Sequence, residues 1–293
     1  MSKNIQFLLR SISSLAFIII TIGSYVIVAQ TTATGDWKAE YKAEKEGGIH
    51  LSFERRSEKG GKNQMGSNYA LTDFQGLTNA QLSAADTPVK FSLVREAGTI
   101  ECEGKFNNGK GAGIFRFTSN PQFVSAMKAR GFSLTDEKLF AAATLNLTTA
   151  FVDDLKAVGF DNLKTEDLFK AVVFKITPQF MREMTTVGFP NLDMEDLVKA
   201  RIFKIDADYV GQVRAMGFED ENMEAMVKLR IFKVTPEFLR EVQAEGLNNL
   251  SVEDATKLQI FKIDADFIRK AKADGVPLQV EKLVEKKIGV WSK

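Results

Sequence analysis

The stretch RIFKIDADYVGQVRAMGFEDENMEAMVKLRIFKV, residues 201–234, opens and closes on nearly the same five letters, 29 residues apart. The tail stands again as VVFKI at 172–176 and QIFKI at 259–263. Phe151, Phe180, Tyr209, Phe238 and Phe267 keep the same 29-residue beat, and Gly159, Gly188, Gly217, Gly246 and Gly275 keep it in one phase. A fixed period of this length marks a repeat array, in which each unit buries its apolar face against its neighbours.

Each unit reads as two short helices. Asn120, Thr148, Thr177, Asp206, Thr235 and Asp264 stand three positions before the aromatic, where a side-chain oxygen can accept from a free helical N–H. Pro121, Pro178 and Pro236 follow directly, at the first helical position, where a missing N–H costs nothing. Apolar residues then fall at helical spacing, as in Phe238, Leu239 and Val242, and the glycine eleven residues after the cap suits a left-handed helix stop. Asp193, Asn222 and Ser251 cap the second helices in register, and Lys164 breaks that pattern. Glu166, Glu195, Glu224 and Glu253 fall in the first turn, where they complement the helix dipole. The first and last units are irregular. The last carries Lys286, Lys287 and Gly289 where inner units place small, apolar or Phe residues, as end-capping repeats require.

Upstream, residues 36–118 alternate in the manner of β-strands: Ile49, Leu51 and Phe53; Val89, Phe91 and Leu93; Ile100 and Cys102. Gly47-Gly48, Ala97-Gly98 and Asn107-Asn108-Gly109 divide the runs, the last being a hairpin signal. Arg55 to Gly66, basic and glycine-rich, reads as a long exposed loop, and Thr78 to Ala85 as one short helix. The expectation is about five or six antiparallel strands packed on the first repeat. The fold class is therefore α+β: an N-terminal antiparallel β-meander domain, residues 31–118, followed by an α-solenoid of six two-helix repeats of about 29 residues, 119–293.

Residues 1–30 read as a targeting segment, with Lys3 and Arg10 before an apolar run that ends at Ala29. They form a signal peptide or, because residues 11–29 are nearly long enough to span a bilayer, an N-terminal membrane anchor. Either way the remainder is exported, periplasmic or secreted in the first case and held at the inner membrane in the second. No acid lies in this segment, so without Lys3 and Arg10 the formal charge passes from +1 to −1. That balance argues against nucleic acid as a partner.

Chemistry is sparse. His50 is the single histidine and Cys102 the single cysteine, which excludes a two-histidine metal site and an internal disulfide. GKGAG at 109–113 lacks the helix and the closing Lys-Ser/Thr of a phosphate loop. Asp153-Asp154 and Glu195-Asp196 are neighbours on helices and read as solvated caps. No catalytic, cofactor or metal residue is expected. The one periodic surface feature is Lys175, Lys204, Lys233 and Lys262, one per inner unit. They read either as compensation of helix-end dipoles, the plainer view, or as a basic strip for an acidic partner, polysaccharide or lipid headgroup.

Units with Thr-Pro-x-Phe, a mid-unit Gly-Phe, Glu-Asp-Leu and a closing Arg-Ile-Phe resemble the helical repeats of bacterial proteins related to the beta-lactam-sensing antirepressor metalloprotease family. VKFSLVREAGTIECEGKF at 89–106 and GKGAGIFRFT at 109–118 resemble the β segment that precedes such repeats. The resemblance covers roughly residues 36–293 and implies an extracytoplasmic sensing or interaction module. The membrane peptidase and its HExxH motif are absent from this chain, and no Ser-x-x-Lys nucleophile stands in a suitable fold, so neither protease nor acylation chemistry carries over. The functional expectation is a non-enzymatic exported binding or scaffold protein contacting another envelope protein. Its alternatives are a membrane-tethered sensory module and a carboxylate-based cell-wall hydrolase.

Overall fold

A computed structural model of the chain describes residues 32–41, 48–56, 62–160, 162–219 and 221–292. The targeting segment therefore lies outside the described residues, as does Gly47. Among the described residues no helix is long and apolar enough to cross a membrane.

Among the described residues seven antiparallel strands form one curled sheet: β1 (Thr32–Tyr41), β2 (Ile49–Arg56), β3 (Lys62–Tyr69), β4 (Phe74–Gln75), β5 (Thr87–Arg95), β6 (Gly98–Asn107) and β7 (Lys110–Ser119). Their order is β3-β2-β1-β7-β6-β5-β4, two meanders joined where β1 pairs with β7. The inward face carries the alternating apolar set, with Trp37, Phe53, Phe106 and Phe117 fully enclosed. The β6–β7 hairpin turns on Asn108 and Gly109, at φ +49° and +83°, the left-handed pair that a two-residue turn demands. Gly104 and Gly113 face each other across β6 and β7. A Cβ on Gly113 would lie 2.0 Å from the Glu103 carbonyl oxygen, so only glycine permits this coil of the sheet.

The expected loop from Arg55 to Gly66 is corrected. Arg55 and Arg56 finish β2, Lys62 to Gly66 begin β3, and Arg56 pairs with Lys62; only residues 57–61 lie outside the description. The strand escapes a periodicity search because KNQMGSNY holds no apolar alternation, and an edge strand needs only one hydrogen-bonded neighbour. The short helix α1 (Asn79–Ser83) forms as expected, capped by Thr78 and burying Leu82.

Among the described residues twelve helices follow: α2 (Pro121–Ala129), α3 (Asp136–Leu145), α4 (Thr149–Ala157), α5 (Thr165–Val173), α6 (Pro178–Thr186), α7 (Met194–Ile202), α8 (Ala207–Ala215), α9 (Met223–Ile231), α10 (Pro236–Ala244), α11 (Val252–Ile260), α12 (Ala265–Ala273) and α13 (Val280–Lys287). All six side-chain caps of the even-numbered helices are made, from Phe267 N–H to Asp264 at 2.8 Å up to Phe180 N–H to Thr177 at 3.2 Å. The six following glycines hold φ between +80° and +102°. Lys164 makes no side-chain cap; instead its N–H donates to Asp167 at 3.0 Å. Odd-numbered helices pack in succession, α3 on α5, α5 on α7 and so to α13, which gives the helical part its repeat-like character.

The sheet and the helices share one core. Phe140 of α3 stacks on Phe115, 5.2 Å between ring centres, with its edge contacts to Phe53 and Phe117. Tyr69 O–H donates to the Thr144 carbonyl at 2.9 Å, and the Glu96 carboxylate accepts from both the N–H and the hydroxyl of Thr149. The cluster runs on without a break from Ala33 to Ala255, and a second, smaller one fills the last helices. The start of the helical array is therefore covered by the sheet.

Candidate partner-binding edge

The ends of α5, α7, α9 and α11 are built alike. Phe174, Phe203, Phe232 and Phe261 close the helices as half-buried caps, and the next residue is always lysine. Lys175, Lys204, Lys233 and Lys262 lie in the left-handed region, at φ between +52° and +54°. The residue after each lysine is buried, and its N–H reaches back five positions: Ile176 to Ala171 at 2.8 Å, Ile205 to Ala200 at 2.8 Å, Val234 to Leu229 at 3.0 Å, Ile263 to Leu258 at 2.8 Å. With the bond from each lysine N–H to the carbonyl three positions back, this is a Schellman stop, which ordinarily calls for glycine. Asn146, at φ +57°, ends α3, and Gly289, at φ +82°, ends α13. Gly289 thus stands in register with the lysines, not with the apolar residues assigned to it from sequence. A Schellman stop fixes the register through its back-reaching bonds, whatever the residue.

The magnitudes separate two views of the lysines. A left-handed non-glycine residue costs roughly 1–2 kcal/mol. A cation at an exposed helix end returns typically 0.3–1 kcal/mol. Dipole compensation alone therefore offsets only part of that strain. The backbone carbonyl of each lysine is occupied by the following helix pair: Lys175 accepts from Arg201 at 2.8 Å, Lys204 from Arg230 at 2.6 Å, Lys233 from Gln259 at 3.1 Å, Lys262 from Lys287 at 2.9 Å. Those bonds use only main chain of the lysine. The four side chains are exposed, and none of their amines pairs with a described carboxylate.

Beside each lysine stands a residue that periodicity alone does not single out. Val173 and Ile202 are 53% exposed, Ile231 and Ile260 49%, at the last helical position of four successive units. A helical wheel carries the signal, because Ile202 lies five residues beyond buried Leu197 and so points away from the core. The result is a strip of alternating aliphatic and cationic side chains along one edge. At its sheet end, Val173 and Lys175 line a depression of about 410 Å³ with Asn68, Tyr69 and Asn146.

Several other charges on the helices are engaged with one another. Lys138, Lys170, Lys228 and Lys257 each pair with a glutamate on the next odd-numbered helix: Glu166, Glu195, Glu253 and Glu281. The lysine bonds hold the Glu166, Glu253 and Glu281 carboxyls below the usual range. Asp153 takes a two-pronged bond from Arg130, at 2.7 and 2.6 Å, which lowers its carboxyl likewise. Asp196 pairs with Lys199 at 3.0 Å.

No family model, curated protein or solved structure matches the chain. The chemistry must come from the residues themselves. His50 is exposed and bonded to Asn68 at 2.9 Å; Cys102 is buried, and burial pushes its thiol up, out of reactive range. GKGAG runs through the hairpin turn into β7. Among the described residues no cluster could hold a metal ion. Asp36, Glu101 and Glu103 flank a depression of about 550 Å³ on the outer sheet face, and all three are exposed.

Proposed function

We propose that this chain is a non-enzymatic exported binding or scaffold protein of the bacterial cell envelope, built as an α-solenoid of six two-helix repeats that holds another envelope protein along one edge. The observation that carries the reading is the pairing of an exposed aliphatic residue with an unpaired lysine at one place in four successive units. Solenoids act through such extended surfaces. The regular caps, the register of the helix ends and the side-chain bonds between successive helix pairs support the repeat assignment. The balanced charge speaks against nucleic acid. The apolar run behind Lys3 and Arg10 supports export to the envelope.

A photo-crosslinking residue placed at Ile231 of the full chain, in intact envelopes, tests this against one placed at exposed Gln212 on α8. The reading expects a discrete protein adduct from position 231 and none from 212. Equal labelling from both positions would dismiss it.

A further inference from the structure

The strip has a definite chemistry. Each inner unit offers one aliphatic side chain and one amine, and second helices that pack side by side lie about 8–10 Å apart. A chain in the polyproline II conformation repeats every three residues and advances about 9.3 Å per turn. One turn of such a segment therefore advances by one unit. With an aliphatic side chain and a carboxylate in every turn, it places an apolar group on Val173, Ile202, Ile231 and Ile260 and a charge near each lysine.

A flat anionic membrane fits less well. Exposed Asp206 and Asp264 stand two residues beyond Lys204 and Lys262, and Glu237 stands four beyond Lys233, so the surrounding edge is of mixed sign. A bilayer covers all of it, whereas a narrow chain follows the amines alone. The aliphatic residues are 49–53% exposed, and each is followed in the chain by a half-buried phenylalanine. We infer that this edge binds an extended acidic–apolar peptide segment with a three-residue repeat, a conclusion that rests on the edge being the partner-binding surface. The depression beside Asn68, Tyr69 and Lys175 receives one end of it.

The test is fluorescence anisotropy of the purified full chain with a labelled peptide of four Leu-Pro-Glu triplets. Controls are the same peptide with Lys for Glu, and phosphatidylglycerol vesicles. The acidic peptide is expected to bind about tenfold more tightly than the basic one, and to weaken about five- to tenfold in K204Q/K233Q and in I202S/I231S. All four changes fall on exposed side chains, and an unchanged unfolding midpoint verifies that each variant folds. Equal binding of the two peptides, or vesicle binding without peptide binding, overturns the inference. A protein adduct from position 231 alongside a failed peptide would sink the three-residue acidic track while leaving the scaffold reading in place.

Discussion

Arg230 bonds the carbonyl oxygen of Lys204 at 2.6 Å while its guanidinium lies 3.6 Å from the centre of the Tyr209 ring. One side chain thus ties a helix of its own unit, α8, to the end of the preceding unit. Arg201 repeats the arrangement over Phe180 at 3.7 Å, with Lys175 as acceptor. Gln259 reaches Lys233 without a cation to stack. Arg230→Ala is expected to lower stability by about 2 kcal/mol, from a charge-assisted bond and a cation–π contact together. Gln259→Ala should cost about 1 kcal/mol. Urea unfolding of the two variants checks the order, and equal losses would remove the ring from the account.

Lys204→Gly separates stability from binding. Glycine relieves the left-handed strain but forfeits the helix-end charge and adds freedom to the unfolded chain, so a net gain of up to about 1 kcal/mol is expected. Thermal unfolding should rise or hold while peptide affinity falls. A clear loss of stability would mean that the lysine serves the fold.

Two glycines should respond by different mechanisms. Gly217 holds φ +95° with nothing within 4 Å of an added Cβ, so Gly217→Ala costs only conformational strain, about 1–2 kcal/mol. Gly104→Ala drives a Cβ to 2.2 Å from the Ala112 carbonyl oxygen and 2.8 Å from the Trp37 ring, and should be the more damaging. Denaturation midpoints rank them, and Trp37 fluorescence should shift only in the second.

Acid should loosen the array. Hydrogen bonds from Arg130, Lys138, Lys228 and Lys257 lower the Asp153, Glu166, Glu253 and Glu281 carboxyls in the folded chain. A lowered carboxyl stabilises fully above its unfolded value, near pH 4, and the contribution disappears as pH falls through the folded value. Glu253 raises Lys228 in turn, through the same bond, so that side of the pair is lost only as pH climbs above about 10.4. Melting temperature should therefore drop below about pH 4, less steeply in Glu253→Gln. Because these pairs are exposed, 1 M salt should flatten the slope. A slope identical in the variant would assign the acid sensitivity elsewhere.

What the chain discloses in advance depends on where the physical signal resides. Thr177, Asp206 and Gly217 announce helix starts and stops because residue type itself supplies the oxygen or the positive φ. Strand β3 is silent, since Gln64 and Asn68 face solvent on an edge and carry no alternation. The left-handed lysines are concealed for another reason. Their conformation is imposed by the bond from the following buried residue, Ile205 to Ala200 for one, and not by lysine. Only the wound helices put Asn146 and Gly289 in register with them. Ile202 reads as core in a tail of apolar letters until the helix is wound and its face turns outward.

The central claim is that the lysine side chains serve a partner. Replacing Lys175, Lys204, Lys233 and Lys262 together by glutamine, with the photo-crosslinker at Ile231, tests it in intact envelopes. The account predicts that adduct yield falls several-fold while the melting temperature stays within about 3 °C of the parent chain's. An undiminished adduct would contradict it.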